Sequence, residues 1–474
     1  MQSNRFPSLL IRADGFAAQG AFAQAQAEYL DPDPQLVAAL KASLARAQLG
    51  VVAHFYMDAE LQGALSACDW PHIHVADSLQ MADRALKMAA GGARAIVVLG
   101  VDFMSENVRA MLDAGGYAHV PVYRVADQAI GCSLAESAEQ RAYTAYLQRA
   151  ARTPRSLHVI YVNTSLRVKA HAEHVLPTIT CTSSNVVPLV LQAFAQVPDL
   201  HVWFGPDTYM GSNLANMLQT FAGLDQAAAT RLHRDHTPAS LAAARERFHW
   251  FEQGVCIVHH MFGEDVVKRV REEYPDALIT AHLEVPGEMF ALGFQAQQAG
   301  RGVVGSTSNI LDFIARRVDQ ARSSERLQFV LGTEAGMTTA IARKVQERLR
   351  ARAEPGLEVE IVFPVAAEAV APTGELHLPI VPGVAAGDGC STAGGCATCP
   401  YMKMNSLDTL LSLIERIDRE PASALEAFKP REYRELLDGH SIAELGTRSI
   451  VRMRDFHAGG KLPDELVAAL RSRG

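Results

Sequence analysis

The chain has 474 residues, 49% of them hydrophobic, which is enough for about three domains and a large buried core. Its 44 basic and 52 acidic residues give a formal net charge of −8, which argues against nucleic acid as the main partner. No run approaches about 18 uncharged apolar residues, so we expect no membrane-spanning helix. Seven cysteines without a secretory signal pattern suit a reducing environment, and we expect a cytoplasmic protein.

The predicted elements divide the chain into five segments. An N-terminal helical segment comes first, three α/β repeats follow it, and a helical tail ends the chain. In that order the segments are 1–48, 49–153, 154–276, 277–404 and 405–474. Two stretches, 222–250 and 353–389, are predicted to be insertions within the second and third repeats.

Each repeat begins with an apolar run that ends in a polar residue. The three runs are VVAHFY, LHVIYVNTS and ALITAHLE, which carry His54, Asn163 and His282. Unbroken apolar strands that alternate with helices are typical of parallel sheets covered on both faces. The sequence therefore predicts an α/β fold with three similar αβα parallel-sheet domains, whose polar residues gather at the carboxyl ends of the strands.

A hydroxyl-rich turn follows in each repeat and opens an apolar helix. The turns contain Ser78, Ser184 and Ser308. Helix capping explains any one of these serines, but three in equivalent positions favour an anionic ligand at the helix starts.

Each repeat also contains a cysteine near its end, namely Cys132, Cys256 or Cys399. An odd total of cysteines favours metal or catalytic use over a disulfide framework. Three thiolates at one point would hold a metal centre with one open position. A structural zinc site stays open as an alternative, although the chain lacks the second C-x-x-C that would complete it.

The remaining four cysteines are not among these three candidate ligands. Cys68 and Cys181 are explained by core packing. Cys390 and Cys396 could be alternative ligands, a regulatory disulfide or neither.

Several motifs between Val51 and Asn405 resemble those of the quinolinate synthase family. They are AHFYMDAELQG, HIHVADSL, GVDFMSENVR, GCSLAES, YVNTS, CTSSN, GVCIVHHMFG, HLEVPGEMF, VGSTSNILDFI, GTEAGMT and CATCPYMKMN. The resemblance implies three similar domains in pseudo-threefold arrangement around a central [4Fe–4S] cluster, held by the three cysteines that match: Cys132, Cys256 and Cys399. One departure is HLEV, where many members have HPEC.

The resemblance also implies an activity in NAD biosynthesis. Family members act as transferases that condense iminoaspartate with dihydroxyacetone phosphate, giving quinolinate, phosphate and water. The open iron of the cluster serves as a Lewis acid. The expected partners are the two substrates, an aspartate oxidase or dehydrogenase that supplies iminoaspartate, and the iron–sulfur assembly machinery.

The same resemblance carries over site residues. For acid/base work in that reaction we select Tyr56 and Glu284, because each lies two residues after a histidine and so faces the same side of an extended segment. Burial between apolar domains would raise the pKa of Glu284. The matching substrate-binding positions are His54, Ser78, Tyr161, Asn163, Ser184, His259, His282 and Thr307.

Purely structural roles are also possible for several of these residues. A histidine at a strand end is often a hydrogen-bonded part of the core, and Tyr56 or Tyr161 could be core aromatic residues. The activity has an alternative too, because an aconitase-like hydro-lyase would use the same open cluster on another substrate.

Overall fold

The computed structural model describes residues 5–352, 356–364 and 398–473. These residues form two compact units. The first unit comprises Met1–Val101, His119–Ile130 and Ile257–Lys429. The second unit comprises Asp102–Ala118, Gly131–Cys256 and Pro430–Gly474.

Strands and helices alternate along most of the described chain. The strands are β1 (Ser8–Ile11), β2 (Phe16–Gln19), β3 (Leu49–His54), β4 (Ile73–Ala76), β5 (Ala95–Leu99), β6 (Val122–Arg124), β7 (Ser156–Tyr161), β8 (Thr178–Cys181), β9 (His201–Gly205), β10 (Phe248–Trp250), β11 (Leu278–His282), β12 (Gly302–Gly305), β13 (Arg326–Gly332), β14 (Glu358–Val362), β15 (Leu436–Leu437) and β16 (His440–Ser441).

The α-helices connect these strands or follow the last of them. They are α1 (Ala21–Glu28), α2 (Pro34–Ala47), α3 (Ala59–Ala67), α4 (Ser78–Ala90), α5 (Asp102–Ala114), α6 (Ser133–Ala138), α7 (Arg141–Ala151), α8 (Leu166–Val175), α9 (Val186–Gln196), α10 (Thr208–Ala222), α11 (Gln226–Leu232), α12 (Pro238–Glu246), α13 (Glu264–Glu273), α14 (Gly287–Gln298), α15 (Thr307–Gln320), α16 (Thr338–Arg350), α17 (Leu407–Arg419), α18 (Ile442–Gly459) and α19 (Asp464–Arg471).

Three sheets share one strand order. In the first unit the orders are β4-β3-β5-β6 and β12-β11-β13-β14, and in the second unit the order is β8-β7-β9-β10. All pairings within these three sets are parallel. The central strands β3, β7 and β11 are buried at every residue, which explains their unbroken apolar sequences. The predicted α/β class with parallel sheets is confirmed, and the five segment boundaries stay a prediction.

The N-terminal segment differs from its helical prediction. It contains α1 and α2, but residues 8–19 form the hairpin β1–β2, whose strand β1 pairs antiparallel with β14 and extends that sheet to six strands. Leu9 and Ile11 enter the core of the first unit. The strands form because they complete a sheet edge more than 340 residues away in sequence, and local sequence patterns do not contain that information.

The two predicted insertions have different outcomes. Residues 222–250 contain the predicted helices α11 and α12, but they end in β10, the edge strand of the second unit's parallel sheet. Most of residues 353–389 lies outside the described residues, and the part that is described includes β14.

The tail contains the expected helices α17, α18 and α19 and, in addition, the short hairpin β15–β16. Helix α18 packs against α8 in the second unit, where a Cβ added to Gly446 would lie 2.5 Å from the Leu166 carbonyl oxygen. The buried Arg452 of α18 pairs with Glu173 of α8 at 2.6 Å. Helix α18 is therefore part of the folded second unit. Within the described ranges, no helix is long and apolar enough to cross a membrane.

Candidate active site

Polar residues cluster at the carboxyl ends of the parallel strands of the first unit. His54 ends β3, His282 ends β11, and Glu334 follows β13 by two residues. All three residues are at most 5% exposed. His282 and Glu334 follow neighbouring strands of one parallel sheet, which directs the carboxyl ends of its strands to the same edge, whereas His54 ends a strand of the separate sheet β4-β3-β5-β6.

The pairs His54–Tyr56 and His282–Glu284 have the same local geometry. In each pair the second residue donates its backbone N–H to Nδ1 of the histidine, at 3.2 Å for Tyr56 and 3.3 Å for Glu284. Because Nδ1 accepts a hydrogen bond, the hydrogen of each neutral ring lies on Nε2. Burial lowers the pKa of His54 and of His282 to about 4, against the opposing effect of Glu284. Both rings are therefore neutral near pH 7 and present an Nε2–H donor.

Glu284 also contacts a second histidine, His259, besides His282. The ring of His259 stacks on that of His282, with centroids 4.9 Å apart and planes at 3°. Its Nδ1 lies 3.2 Å from Oε2 of Glu284, and both side chains are almost fully buried. The structure thus brings together three residues predicted from the sequence, His259, His282 and Glu284. The Glu284 carboxylate lies near Nδ1 of both rings.

The Tyr56 hydroxyl lies between two threonines. Its oxygen is 3.4 Å from Oγ1 of Thr307 and 3.4 Å from Oγ1 of Thr333. Burial and the nearby Glu284 and Glu334 carboxylates raise the pKa of Tyr56 well above its ordinary value. The phenol therefore keeps its proton at neutral pH. Thr307 was predicted from the sequence, whereas Thr333 was not.

Gln62 supports the segment that carries Tyr56 and was also missed from the sequence. Its side-chain nitrogen lies 2.7, 2.9 and 2.6 Å from the carbonyl oxygens of Phe55, Met57 and Gly336, so its two hydrogens are shared among these three acceptors. A Cβ added to Gly336 would lie 2.7 Å from Cα of Tyr56, so this close approach requires glycine. Only the folded structure shows these contacts, because nothing in the sequence of helix α3 distinguishes Gln62 from other polar helix residues.

Glu334 links the strand ends to one predicted metal ligand. Its Oε1 accepts a hydrogen bond from the backbone N–H of Cys399 at 2.6 Å. Burial raises the pKa of Glu334 well above its usual range, while that hydrogen bond and Lys403 oppose the change. Glu334 was not among the site residues predicted from the sequence.

The hydroxyl turns lie at helix starts, but the N-cap positions are Asp77 for α4, Asn185 for α9 and Ser306 for α15, so none of the three predicted serines is an N-cap residue. Asp77 caps α4 and Ser306 caps α15, so Ser78 and Thr307 are the first residues of those helices. Ser308 donates its hydroxyl hydrogen to Asp77 at 2.9 Å. Since Asp77 and Ser306 form the caps, the hydroxyls of Ser78 and Thr307 are not needed for capping.

The second unit has a comparable strand-end group. Tyr161 ends β7 and pairs in register with Cys181 at the end of β8. Asn163 and Ser184 follow these two strands, and both residues are partly exposed. The three predicted substrate-binding residues of this unit therefore lie at its carboxyl edge.

The predicted cysteine ligands differ from the core cysteines in exposure. Cys132 and Cys256 are partly exposed, as is Cys399, whereas Cys68 and Cys181 are buried. In the second unit, Ser133 donates its hydroxyl hydrogen to the Val255 carbonyl at 3.0 Å. This bond holds the segments of Cys132 and Cys256 side by side. Cys390 and Cys396 lie outside the described residues.

The fold and the strand-end residues together define an α/β protein of three like-ordered parallel sheets with a buried histidine–carboxylate–tyrosine group. Over residues 37–429 the chain matches the family described as Quinolinate synthetase A protein. It belongs to that family.

Individual relatives agree with this assignment. The chain is 50% identical to the chloroplastic quinolinate synthases of Arabidopsis thaliana, over 481 residues, and of Oryza sativa subsp. japonica, over 488 residues. Each comparison covers 98% of this chain, and covers 66% and 68% of the respective relative. The chain is 27% identical over 361 residues to quinolinate synthase of Prochlorococcus marinus, covering 76% of this chain and 77% of the relative. The chain thus spans about two thirds of the length of the plant relatives.

One expectation from the sequence is contradicted by these relatives. A cytoplasmic location was expected, but the plant relatives that are 50% identical are chloroplastic proteins by name. The expectation was wrong because cysteine usage and composition indicate a reducing environment and do not identify a compartment.

Proposed function

We propose that this chain is a quinolinate synthase that condenses iminoaspartate with dihydroxyacetone phosphate to quinolinate, phosphate and two waters. Membership of the family supports this function. The single structural observation behind it is the buried group in which Glu284 bonds to His259 and neighbours His282. Such a group can exchange protons with a substrate while water is excluded.

The two neutral histidines suit the substrates. Iminoaspartate carries two carboxylates, and dihydroxyacetone phosphate carries a phosphate. We assign His54 and His282 the role of donating Nε2–H to these anionic oxygens. Their neutral state follows from burial. We further assign substrate contacts to Ser78 and Thr307 in the first unit, and to Tyr161, Asn163 and Ser184 in the second unit, as the family resemblance implies.

Glu284 and Tyr56 take the acid/base roles. In the unprotonated state, Oε2 of Glu284 can accept a proton from a substrate carbon or nitrogen. We assign Nδ1 of His259, 3.2 Å from Oε2, the role of hydrogen-bond donor to the carboxylate state of Glu284. Tyr56 holds its proton firmly because burial raises its pKa, so its hydroxyl acts as a hydrogen-bond donor or general acid.

The cysteines fit an iron–sulfur cluster. We propose Cys132, Cys256 and Cys399 as its ligands. All three are partly exposed, and the Ser133–Val255 hydrogen bond keeps the segments of Cys132 and Cys256 adjacent. When bound, a [4Fe–4S] cluster with three protein ligands supplies a Lewis acid for the loss of water.

The arrangement of the domains is part of this proposal. We propose three similar domains in pseudo-threefold arrangement around the cluster, with boundaries as predicted from the sequence. The common strand order of the three parallel sheets supports it. The proposed activity further implies an aspartate oxidase or dehydrogenase as the source of iminoaspartate and an assembly machinery that delivers the cluster.

Product analysis tests the function. The full chain is purified and reconstituted with iron and sulfide without oxygen, and then supplied with freshly generated iminoaspartate and dihydroxyacetone phosphate. We expect quinolinate only when both substrates are present. Absence of quinolinate from a chain that contains the cluster would refute the function and would favour an aconitase-like hydro-lyase with another substrate.

A further inference from the structure

Lys169 is a fully buried lysine that the proposed function does not use. It lies on α8 in the second unit, and its side chain has no exposed surface. Its Nζ donates to the carbonyl oxygens of Val162, at 3.0 Å, and of Thr164. These two carbonyls flank Asn163, one of the proposed substrate-binding residues.

The segment around Asn163 is fixed on the side that faces the lysine. Val162 donates its backbone N–H to the Cys181 carbonyl at 2.8 Å, and Thr164 donates its hydroxyl hydrogen to the Tyr161 carbonyl at 3.1 Å. Val162 is 3% exposed and Thr164 is fully buried, whereas Asn163 between them is partly exposed. Lys169 therefore bonds to the buried backbone of this turn, and the side chain of Asn163 lies on the turn's partly exposed side.

A buried carboxylate accompanies the lysine. Glu106 is 4% exposed, and it accepts hydrogen bonds from the Leu166 backbone N–H at 2.8 Å and from the Tyr433 hydroxyl at 3.0 Å. Burial lowers the pKa of Lys169 to about 7, and the charge of Glu106 opposes that change. Glu106 and Lys169 thus fix both ends of residues 162–166.

Packing alone does not explain a lysine at this buried position. Burying an amine costs free energy unless its hydrogens are bonded, and an apolar side chain on α8 would fill the same space without that cost. The amine does what an apolar residue cannot, because it donates to two carbonyls of a turn that lies outside regular helices and strands.

We propose that Lys169 is a positioning residue that orients Asn163 toward the substrate by holding the Val162 and Thr164 carbonyls. This role rests on the proposed function, because Asn163 is assigned there as a substrate contact. It adds a residue that touches no substrate and acts through the turn.

A double-mutant cycle tests the proposal in the full chain. Lys169→Met keeps the length of the side chain and removes its donors, and Asn163→Ala removes the proposed contact. We expect each single variant to raise the same substrate's KM by about 10- to 100-fold, the value of a hydrogen bond to a charged group. The KM of the double variant should be little higher than that of either single variant, because both substitutions remove the same contact. Iron and sulfide content should stay that of the parent chain.

Val168→Ala is the matched control. Val168 is a neighbour on α8 and is 5% exposed, so its truncation weakens the same helix without touching the turn carbonyls. It should lower the melting temperature and leave both KM values unchanged. If the effects of Lys169→Met and Asn163→Ala on KM multiply in the double variant, the positioning role is overturned. A KM increase in Val168→Ala equal to that of Lys169→Met would also overturn it. So would unchanged KM values in Asn163→Ala.

Amide hydrogen exchange separates this proposal from the proposed function. Lys169→Met should speed exchange of the amides of residues 162–166 by about tenfold or more, whether or not the chain makes quinolinate. A parent chain that makes no quinolinate refutes the proposed function. Unchanged exchange in these residues refutes the proposal that Lys169 fixes the turn around Asn163.

Discussion

Glu284→Gln is the substitution that tests the proposed chemistry most sharply. The amide keeps the shape of the carboxylate, so the buried group around His259 and His282 keeps its packing. What changes is the ability to take up and release a proton. We expect the turnover number to fall by about 10²- to 10⁴-fold, the usual contribution of a general acid or base.

The cost of this substitution to stability can be limited from the geometry. Oε2 of Glu284 lies within bonding distance of Nδ1 of His259, at 3.2 Å. The Nδ1 atom of His282, 3.5 Å from Oε1, already accepts the Glu284 backbone N–H. A hydrogen bond to a charged group contributes at most about 3 kcal/mol, so we expect a loss of unfolding free energy no larger than that.

The assay compares steady-state quinolinate formation and iron content in the parent and variant chains, both reconstituted without oxygen. Glu288→Gln is the matched control, because Glu288 lies on the first turn of α14, four residues away, and is exposed. It should behave as the parent. Turnover of Glu284→Gln within about threefold of the parent, at equal iron content, would refute an acid/base role for Glu284.

Three further predictions concern the cluster, the Tyr56 segment and the acid stability of the fold. Alanine at any one of the three proposed cluster cysteines should abolish the cluster absorption and the sulfide content, whereas alanine at either of the two buried cysteines should leave both intact; a full cluster in a ligand variant would contradict the ligand set. Gly336→Ala should displace Tyr56, because the added methyl group would lie 2.7 Å from its Cα, and we expect turnover to drop at least tenfold; normal turnover would show that the segment tolerates the shift. Burial lowers the pKa of His158 to about 4, below the 6.5 of an ordinary histidine, so the unfolded chain binds more protons and the unfolding free energy should fall from pH 6.5 toward pH 4, by about 3 kcal/mol for this ring. His158→Gln should be less stable near neutrality but should show a smaller acid loss in urea titrations at several pH values, and an unchanged pH dependence would contradict the assignment.

The sequence was sufficient for the features that repeat. Three apolar runs with a polar last residue predicted three parallel sheets, and His54 and His282 do end central strands of such sheets. Because parallel strands align their carboxyl ends, the strand pattern also predicted that these residues would share an edge with polar residues of their own unit. The activity implied by the family resemblance requires an acid/base group, and the spacing of Tyr56 and Glu284 from His54 and His282 then selected these two residues.

Features that depend on distant contacts were not predictable in this way. The β1–β2 hairpin forms because it extends a sheet edge at β14, and its short strands carry little pattern of their own. Gln62 lies on a helix and bonds to Gly336, 274 residues later in the chain, so nothing in its surroundings indicated its role. Lys169 would be read as one more charged residue of an amphipathic helix, and only its complete burial distinguishes it.

The most direct test of the central claim is to measure phosphate and quinolinate together in one anaerobic reaction of the reconstituted full chain. The proposed condensation predicts that the two products accumulate in equal amounts and that neither forms when iminoaspartate is omitted. Phosphate release without quinolinate, or no release of either product by a chain with a complete cluster, would contradict it.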